Sequence, residues 1–263
     1  MVRADSCPDR YAVVYKVLDL FSGIGGFSLG LERTGGFETV AFCEIEKYPQ
    51  RVLAKHWRNV PIYEDVRELT YERLKSDGLK PDVICGGFPC QDVSKAGKGA
   101  GIGEGTRSGL WSECARLLGE VRPRYAIFEN VTVLLSGDNG RWFEQILWDI
   151  SKVGYDAEWS CIRASEFGAY HFRDRVWILA YPSSKRLQGS QKDRYIAKQR
   201  QEQQQHPARL FRGIREVSPV EPTIRRMDDG IPNYSHRIKA LGNAIYPPIA
   251  EYIGNQILKH ENP

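Results

Sequence analysis

Val13-Val14-Tyr15-Lys16-Val17-Leu18-Asp19-Leu20-Phe21 runs into Ser22-Gly23-Ile24-Gly25-Gly26, and the chain continues as Phe27 to Arg33. The apolar run reads as a buried strand, the glycines as a tight turn, and the following segment as the start of a helix. Strand, glycine turn and helix in that order open a doubly wound α/β sheet. The turn falls short of a full dinucleotide fingerprint, because Ser28 stands where the third glycine belongs. No Lys or Arg lies between Asp19 and Gly30. The turn therefore suits an adenosine cofactor without phosphates, with tight packing as the competing reading.

The alternation continues downstream. Thr39 to Cys43 reads as a second strand closed by Glu44, which follows Gly25 by nineteen residues. That spacing suits a carboxylate on ribose hydroxyls. Glu46 to Trp57 has helical spacing, a brief extended piece leads to Asp65, and Val66 to Leu74 reads as helix. Asp82-Val83-Ile84-Cys85 is a short buried strand that delivers Gly86-Gly87-Phe88-Pro89-Cys90-Gln91 to the sheet edge. The glycines allow a sharp turn and Pro89 fixes its own φ beside Cys90. Cys90 is thus a candidate nucleophile, a buried inert thiol being the alternative. The glycine-rich stretch from Lys95 to Arg107 reads as a flap. Leu110 to Val121 is helical, Tyr125 to Phe128 a strand ending at Glu129-Asn130-Val131, and Trp142 to Val153 a helix. Glu158 to Arg163 and Val176 to Tyr181 are two late strands, a hairpin pair. Arg173 and Arg175 alternate, so both point to one face. Ile245 to Leu258 returns to an apolar helical pattern.

In such sheets ligands sit at the carboxyl ends of the strands, where Ser22 to Gly26, Glu44, Asp65, Cys90 and Glu129 fall. A carboxylate there, near a nucleophile, suits a general acid of raised pKa, a helix cap being the bland reading.

Composition restricts the function. At 263 residues with 41% apolar content the chain can bury a real core. The net charge of +4 is unevenly spread: between 183 and 216 nine Lys or Arg face three acids, giving +6 and leaving −2 elsewhere. Positive charge gathered in one segment fits a surface that faces a polyanion. The six cysteines form no CxxC pair and no close Cys/His cluster, so no metal site is expected. Neither a signal peptide nor an apolar run of membrane-spanning length is visible, and a cytoplasmic protein is expected.

Taken together, Asp19-Leu20-Phe21-Ser22-Gly23-Ile24-Gly25-Gly26-Phe27, Phe88-Pro89-Cys90-Gln91, Glu129-Asn130-Val131, Arg173-Asp174-Arg175 and Gly242-Asn243-Ala244-Ile245 resemble the ordered motifs of DNA (cytosine-5) methyltransferases. The likeness covers 17 to 181 and 233 to 258. It implies a Rossmann-like methyltransferase sheet over 1–181, a small basic target-recognition region over 182–230, and a segment over 231–263 that returns to the catalytic domain. It implies S-adenosyl-L-methionine as methyl donor, held by Phe21, Ser22, Gly23, Gly25, Gly26, Glu44, Ile45, Asp65, Val66, Asn243 and Ala244. It implies Cys90 as nucleophile, Glu129 as the group that protonates cytosine, Arg175 holding the base and Arg173 supporting the loop. The implied partner is duplex DNA, bound by a monomer, with a cognate restriction enzyme in some members. The short insert is similar to that of small phage and prophage members, and a bacterial or phage-encoded, nucleoid-associated protein is expected.

Two positions depart from the family pattern. His171 replaces the usual Gln before the paired arginines, and Ile45 stands where many members have Trp. Rival functions meet the sequence less well. A cytosine deaminase needs PCxxC, but position 93 is Val. A dinucleotide oxidoreductase leaves the Cys90 and Glu129 motifs unexplained. A tRNA-methylating branch of the same family, or a silent regulator that binds donor and DNA, remains as the alternative.

Overall fold

Seven strands and six α-helices make up the computed structural model, which describes residues 13–89, 110–170, 172–183 and 242–261. The strands are β1 (Tyr15–Leu20), β2 (Phe37–Cys43), β3 (Ile62–Tyr63), β4 (Val83–Gly87), β5 (Tyr125–Val131), β6 (Tyr155–Arg163) and β7 (Asp174–Pro182). The helices are α1 (Gly26–Glu32), α2 (Lys47–His56), α3 (Tyr71–Ser76), α4 (Leu110–Val121), α5 (Arg141–Lys152) and α6 (Pro247–Glu261). They form one sheet in the order β3-β2-β1-β4-β5-β7-β6. The first five run parallel, and β7 inserts antiparallel between β5 and β6. This is the doubly wound, mostly parallel sheet expected from the strand–helix alternation.

Burial on both faces explains the near-continuous apolar strands. Successive side chains alternate between two cores. Leu18, Ile84, Ala126, Phe128 and Ile178 join Trp111, Leu117 and Ile146 of α4 and α5. Val17, Val83, Ile127, Trp177 and Leu179 join Phe27 and Leu31 of α1 and Ile249, Ile253 and Ile257 of α6. The period-2 pleat thus carries Cys85 and the even-spaced Ile127 towards α1 and α6, and by the same count Glu129 and Arg175 follow them.

Three local readings need correction. The helix expected over Val66 to Leu74 is instead a turn followed by α3. The Asp65 carboxylate caps Arg67 N at 3.0 Å and the Asp65 carbonyl accepts from Glu68 and Leu69 N. Thr70 is extended (φ −126°, ψ 160°) and starts α3 afresh, its hydroxyl accepting from Arg73 N. The strand read over Tyr125 to Phe128 takes in Glu129-Asn130-Val131 as paired residues rather than as its end point, because Asn130 and Val131 keep pairing with Val176 and Arg175 of β7. Gly86 and Gly87, read as a turn, are the last residues of β4. Both are small for steric reasons: a Cβ on Gly86 would lie 2.8 Å from Leu20 O, and one on Gly87 3.3 Å from a Glu129 oxygen.

The C-terminal helix is seated on the glycine turn. Pro247 and Pro248 occupy the first turn of α6, where missing N–H groups cost nothing. A Cβ on Gly26 would strike Ile245 O, and one on Gly30 would strike Pro247 O and come 2.8 Å from Ala250 Cβ. The leader, Cys90 and Gln91, the flap, His171 and nearly all of the basic insert lie outside the described residues.

Candidate active site

The site begins where β1 ends. Phe21 takes φ +51° and Gly23 φ +54°, so the chain turns sharply off the strand. Ser22 locks the turn to β2: its hydroxyl donates to Asp19 O at 2.6 Å and its amide to Cys43 O at 3.2 Å. Gly25 (φ +84°) needs its missing side chain, since a Cβ would lie 2.7 Å from the Trp57 ring. Space over Gly23 is open, with nothing within 4 Å of where its Cβ would point.

Glu44 closes this turn from the side. Its Oε2 accepts from Gly23 N at 2.7 Å and its Oε1 from Glu46 N at 2.7 Å, while Gln50 Nε2 holds its carbonyl at 2.6 Å. Burial raises its pKa, and the two backbone donors oppose that shift. Asp65 lies past the next strand and is forked by Arg67, whose Nε sits 2.9 Å from Oδ1. That hydrogen bond lowers the Asp65 pKa. Ile45 is 60% exposed. Val66 is engaged elsewhere: its side chain is in the core and its carbonyl accepts from Arg116 Nη2 at 3.0 Å. Of the C-terminal pair, Asn243 is exposed and Ala244 partly so, next to the buried Ile245. Ile245 bridges Gly26 and Gly87, so this segment joins the first turn to the end of β4.

The second half of the site lies two strands away. Glu129 is buried, opposite Gly87 in the β4–β5 register, and its Oε1 meets Arg175 Nε at 2.9 Å. Burial raises its pKa, while the charges of Arg175 and Arg173 pull the other way. Its pKa thus stays above the usual carboxylate range although Arg175 contacts it and the Arg173 charge acts on it. Arg173 precedes β7 rather than starting it, and donates through Nη1 to Gly242 O at 3.0 Å. Burial, then the neighbouring Arg175, lowers its pKa. Cys90 itself is outside the described residues, three positions beyond Gly87.

Two residues in these motifs act here without having been singled out. Asn130, nearly fully buried, donates through Nδ2 to Phe88 O at 3.1 Å and accepts Val131 N at 2.8 Å. It ties the strand of Glu129 to the loop that precedes Cys90, while the Phe88 ring packs on Trp111, centroids 5.1 Å apart. Asp19 is fully buried and accepts the Ser28 hydroxyl at 2.8 Å through Oδ2, while Oδ1 has no hydrogen-bond partner at standard geometry. Burial pushes its pKa up to about 7. Ser28, which interrupts the glycine fingerprint, is thus the donor to this acid. The signal was present in the alternation of β1, which sends Asp19 into the core, but strand periodicity alone does not name the partner.

A glycine turn with a ribose-type carboxylate, and a buried Glu–Arg pair beside the strand that leads to Cys90, form one continuous edge of the sheet. A family profile for C-5 cytosine-specific DNA methylases matches residues 15–230. The chain belongs to that family. Among relatives, the Type II methyltransferase M1.ScrFI of Lactococcus lactis subsp. cremoris is 33% identical over 173 residues, 66% of this chain and 43% of that protein. M2.BsuMI of Bacillus subtilis (strain 168) is 37% identical over 169 residues, 63% of this chain and 41% of that protein. This methylase-family chain therefore spans less than half the length of these two relatives. Among solved structures, a prophage-encoded E. coli protein described as a DNA modification methyltransferase aligns at TM-score 0.55 and 28% identity, over 68% of this chain and 49% of that one. DNMT2 of Spodoptera frugiperda aligns at TM-score 0.53 and 19% identity, over 67% of this chain and 52% of that one, a likeness of fold alone. No described helix is long and apolar enough to cross a membrane.

Proposed function

We propose that this chain transfers a methyl group from S-adenosyl-L-methionine to carbon 5 of a cytosine flipped out of duplex DNA. The observation that carries the reading is the buried Glu129 carboxyl, paired with Arg175 and packed against Gly87 on the strand that leads to Cys90. A buried acid of raised pKa beside a nucleophile's loop suits proton donation to a ring nitrogen.

The donor set fits S-adenosyl-L-methionine. The turn offers open space over Gly23, a buried carboxylate at Glu44 and no cation between Asp19 and Gly30. These features suit a nucleoside that carries no phosphate. Phe21, Gly23, Glu44 and Asn243 would hold it, and Asp65 would join by sharing or releasing Arg67. Ile45 offers an exposed aliphatic surface where many members have Trp. When bound, the donor supplies an electrophilic methyl group on a sulfonium.

The chain's own residues make cytosine receptive to that group. The Cys90 thiolate adds to carbon 6, Glu129 gives its proton to ring nitrogen 3, and carbon 5 gains enamine character. After methylation, loss of the carbon 5 proton to water expels the thiolate, nitrogen 3 returns its proton to the Glu129 carboxylate, and the ring is restored. A free cysteine has pKa about 8.5, so the cationic field of Arg173 and Arg175 favours the thiolate. Arg175 also keeps Glu129 oriented, and Asn130 holds the loop that presents Cys90. Extracting the base costs a few kcal/mol of stacking and pairing. The basic segment 182–230, with +6 between 183 and 216, would offset that cost by binding phosphates and would read the sequence. In this reading the protein is a cytoplasmic monomer on DNA, of the restriction–modification or phage type.

Bisulfite sequencing of DNA from cells expressing the chain tests the reading. Protected cytosines within one recurring sequence are expected; unprotected DNA together with methylated tRNA would overturn it.

A further inference from the structure

Two aromatic side chains at the rim of this site have no part in the reaction above. Phe172 is 76% exposed, the most exposed large apolar side chain among the described residues, and Tyr170 is 59% exposed. A single exposed ring needs no explanation. The residues on either side of these two are braced. Ala164 N donates to Arg173 O at 3.1 Å, Gly168 N to Ser165 O at 3.1 Å and Ala169 N to Ala164 O at 3.1 Å. Tyr246 Oη donates to Phe167 O at 3.2 Å and ties the loop to the start of α6. Tyr170 thus follows the held Ala169 and Phe172 precedes the held Arg173, which lowers the ordering cost of a stack formed on either ring.

Charge beside the rings narrows the occupant. Arg163 is matched by Asp174 at 3.0 Å, but Arg173 and Arg175 share only Glu129 among their described ionic partners. Together the two arginines carry one positive charge more than Glu129 offsets, and Arg173, which also donates to Gly242 O, directly follows Phe172 in the chain. A flat ring with an anion on a short tether matches both features, and a nucleotide is such a ligand. Phe172 directly precedes Arg173, so the stacking surface borders the Glu129 pocket.

We propose that Phe172, flanked by Tyr170, is a stacking platform for a nucleobase of the DNA beside the flipped cytosine, with Arg173 facing the adjoining phosphate. The proposal rests on the DNA-methylating reading and adds a DNA-binding surface specific to this chain. It gives the opened duplex a ring to replace the base stacking that flipping removes.

The test uses the full chain and a short fluorescein-labelled duplex carrying the site mapped for the wild type by bisulfite sequencing. Anisotropy gives Kd at several salt concentrations. Phe172→Ala should weaken binding roughly 5- to 150-fold, the range for removing one base–aromatic stack. Phe172→Trp should restore it. The slope of log Kd against log salt should be unchanged in both, because neither substitution alters a charge that neutralises phosphate. Thermal midpoint and S-adenosyl-L-methionine affinity should match the wild type. Wild-type Kd in Phe172→Ala overturns the platform alone, as does a changed salt slope. A lowered thermal midpoint in both variants would show that the ring packs against the chain's own segment 184–241 instead, and overturns it too. A wild type that neither methylates nor binds duplex DNA overturns the functional reading itself, and the platform falls with it.

Discussion

Asp19 gives the site's first turn a pH-dependent foundation. Its pKa is raised from 3.8 to about 7 by burial, so folding favours the protonated form. A raised acid contributes stability at low pH that is lost as pH climbs through its folded value. The wild type should therefore lose stability between about pH 4 and 7, by up to about 4 kcal/mol for a shift of this size. Asp19→Asn should remove most of that slope in chemical denaturation; an unchanged slope would mean that the acid is not the source. Glu44 is expected to act on the donor. Glu44→Gln keeps the shape and one acceptor for Gly23 N while removing the charge. Loss of charge-assisted hydrogen bonds should weaken S-adenosyl-L-methionine by roughly 1.5–3 kcal/mol, with DNA affinity retained. Calorimetry with unchanged donor affinity would contradict the assignment. Both residues lie in stretches whose place in the sheet was legible, Asp19 because an apolar run into glycines has few other readings and Glu44 because it closes the next apolar run. Their partners were not legible: Ser28 and Gly23 reach them through side-chain directions that depend on the folded turn.

At the scale of elements, the two halves of the site are joined by glycine packing. Gly30 of α1 faces Pro247 O and Ala250 of α6, and Gly26 faces Ile245 O. Gly30→Ala should overpack this junction and cost about 1–3 kcal/mol, seen as a lower thermal midpoint. Because Ile245 also touches Gly87, donor binding should weaken with it; a variant of wild-type stability would show that α6 is not docked through this glycine. The helices were visible in the sequence wherever an apolar stripe was long, as in Leu110–Val121, which matches the observed α4. Short elements were not. The six-residue α3 depends on one cap at Thr70, and the carboxylate of Asp65 diverts the preceding residues into a turn. The order of the last strands was also hidden. β7 inserts between β5 and β6, and neighbour choice among strands leaves no mark on their periodicity.

For the whole molecule, charge and chemistry occupy different parts of the chain: the +6 lies between 183 and 216, while the Glu129 pair and glycine turn belong to the sheet. Lys198→Ala with Arg200→Ala should flatten the salt dependence of DNA binding by about 0.9 for each phosphate no longer neutralised and leave the methylated sequence unaltered. A changed sequence preference would assign base reading, rather than phosphate binding, to those side chains. The central claim joins both parts through one covalent event at Cys90, with Glu129 as its acid. It is tested most directly with a duplex carrying 5-fluorocytosine at the mapped target, incubated with the protein and S-adenosyl-L-methionine and then denatured. Fluorine at carbon 5 cannot leave as a cation, so the wild type should remain bound in a denaturation-resistant adduct and Cys90→Ala should not. An adduct that persists in Cys90→Ala, or a methylating wild type that forms none, would contradict the account.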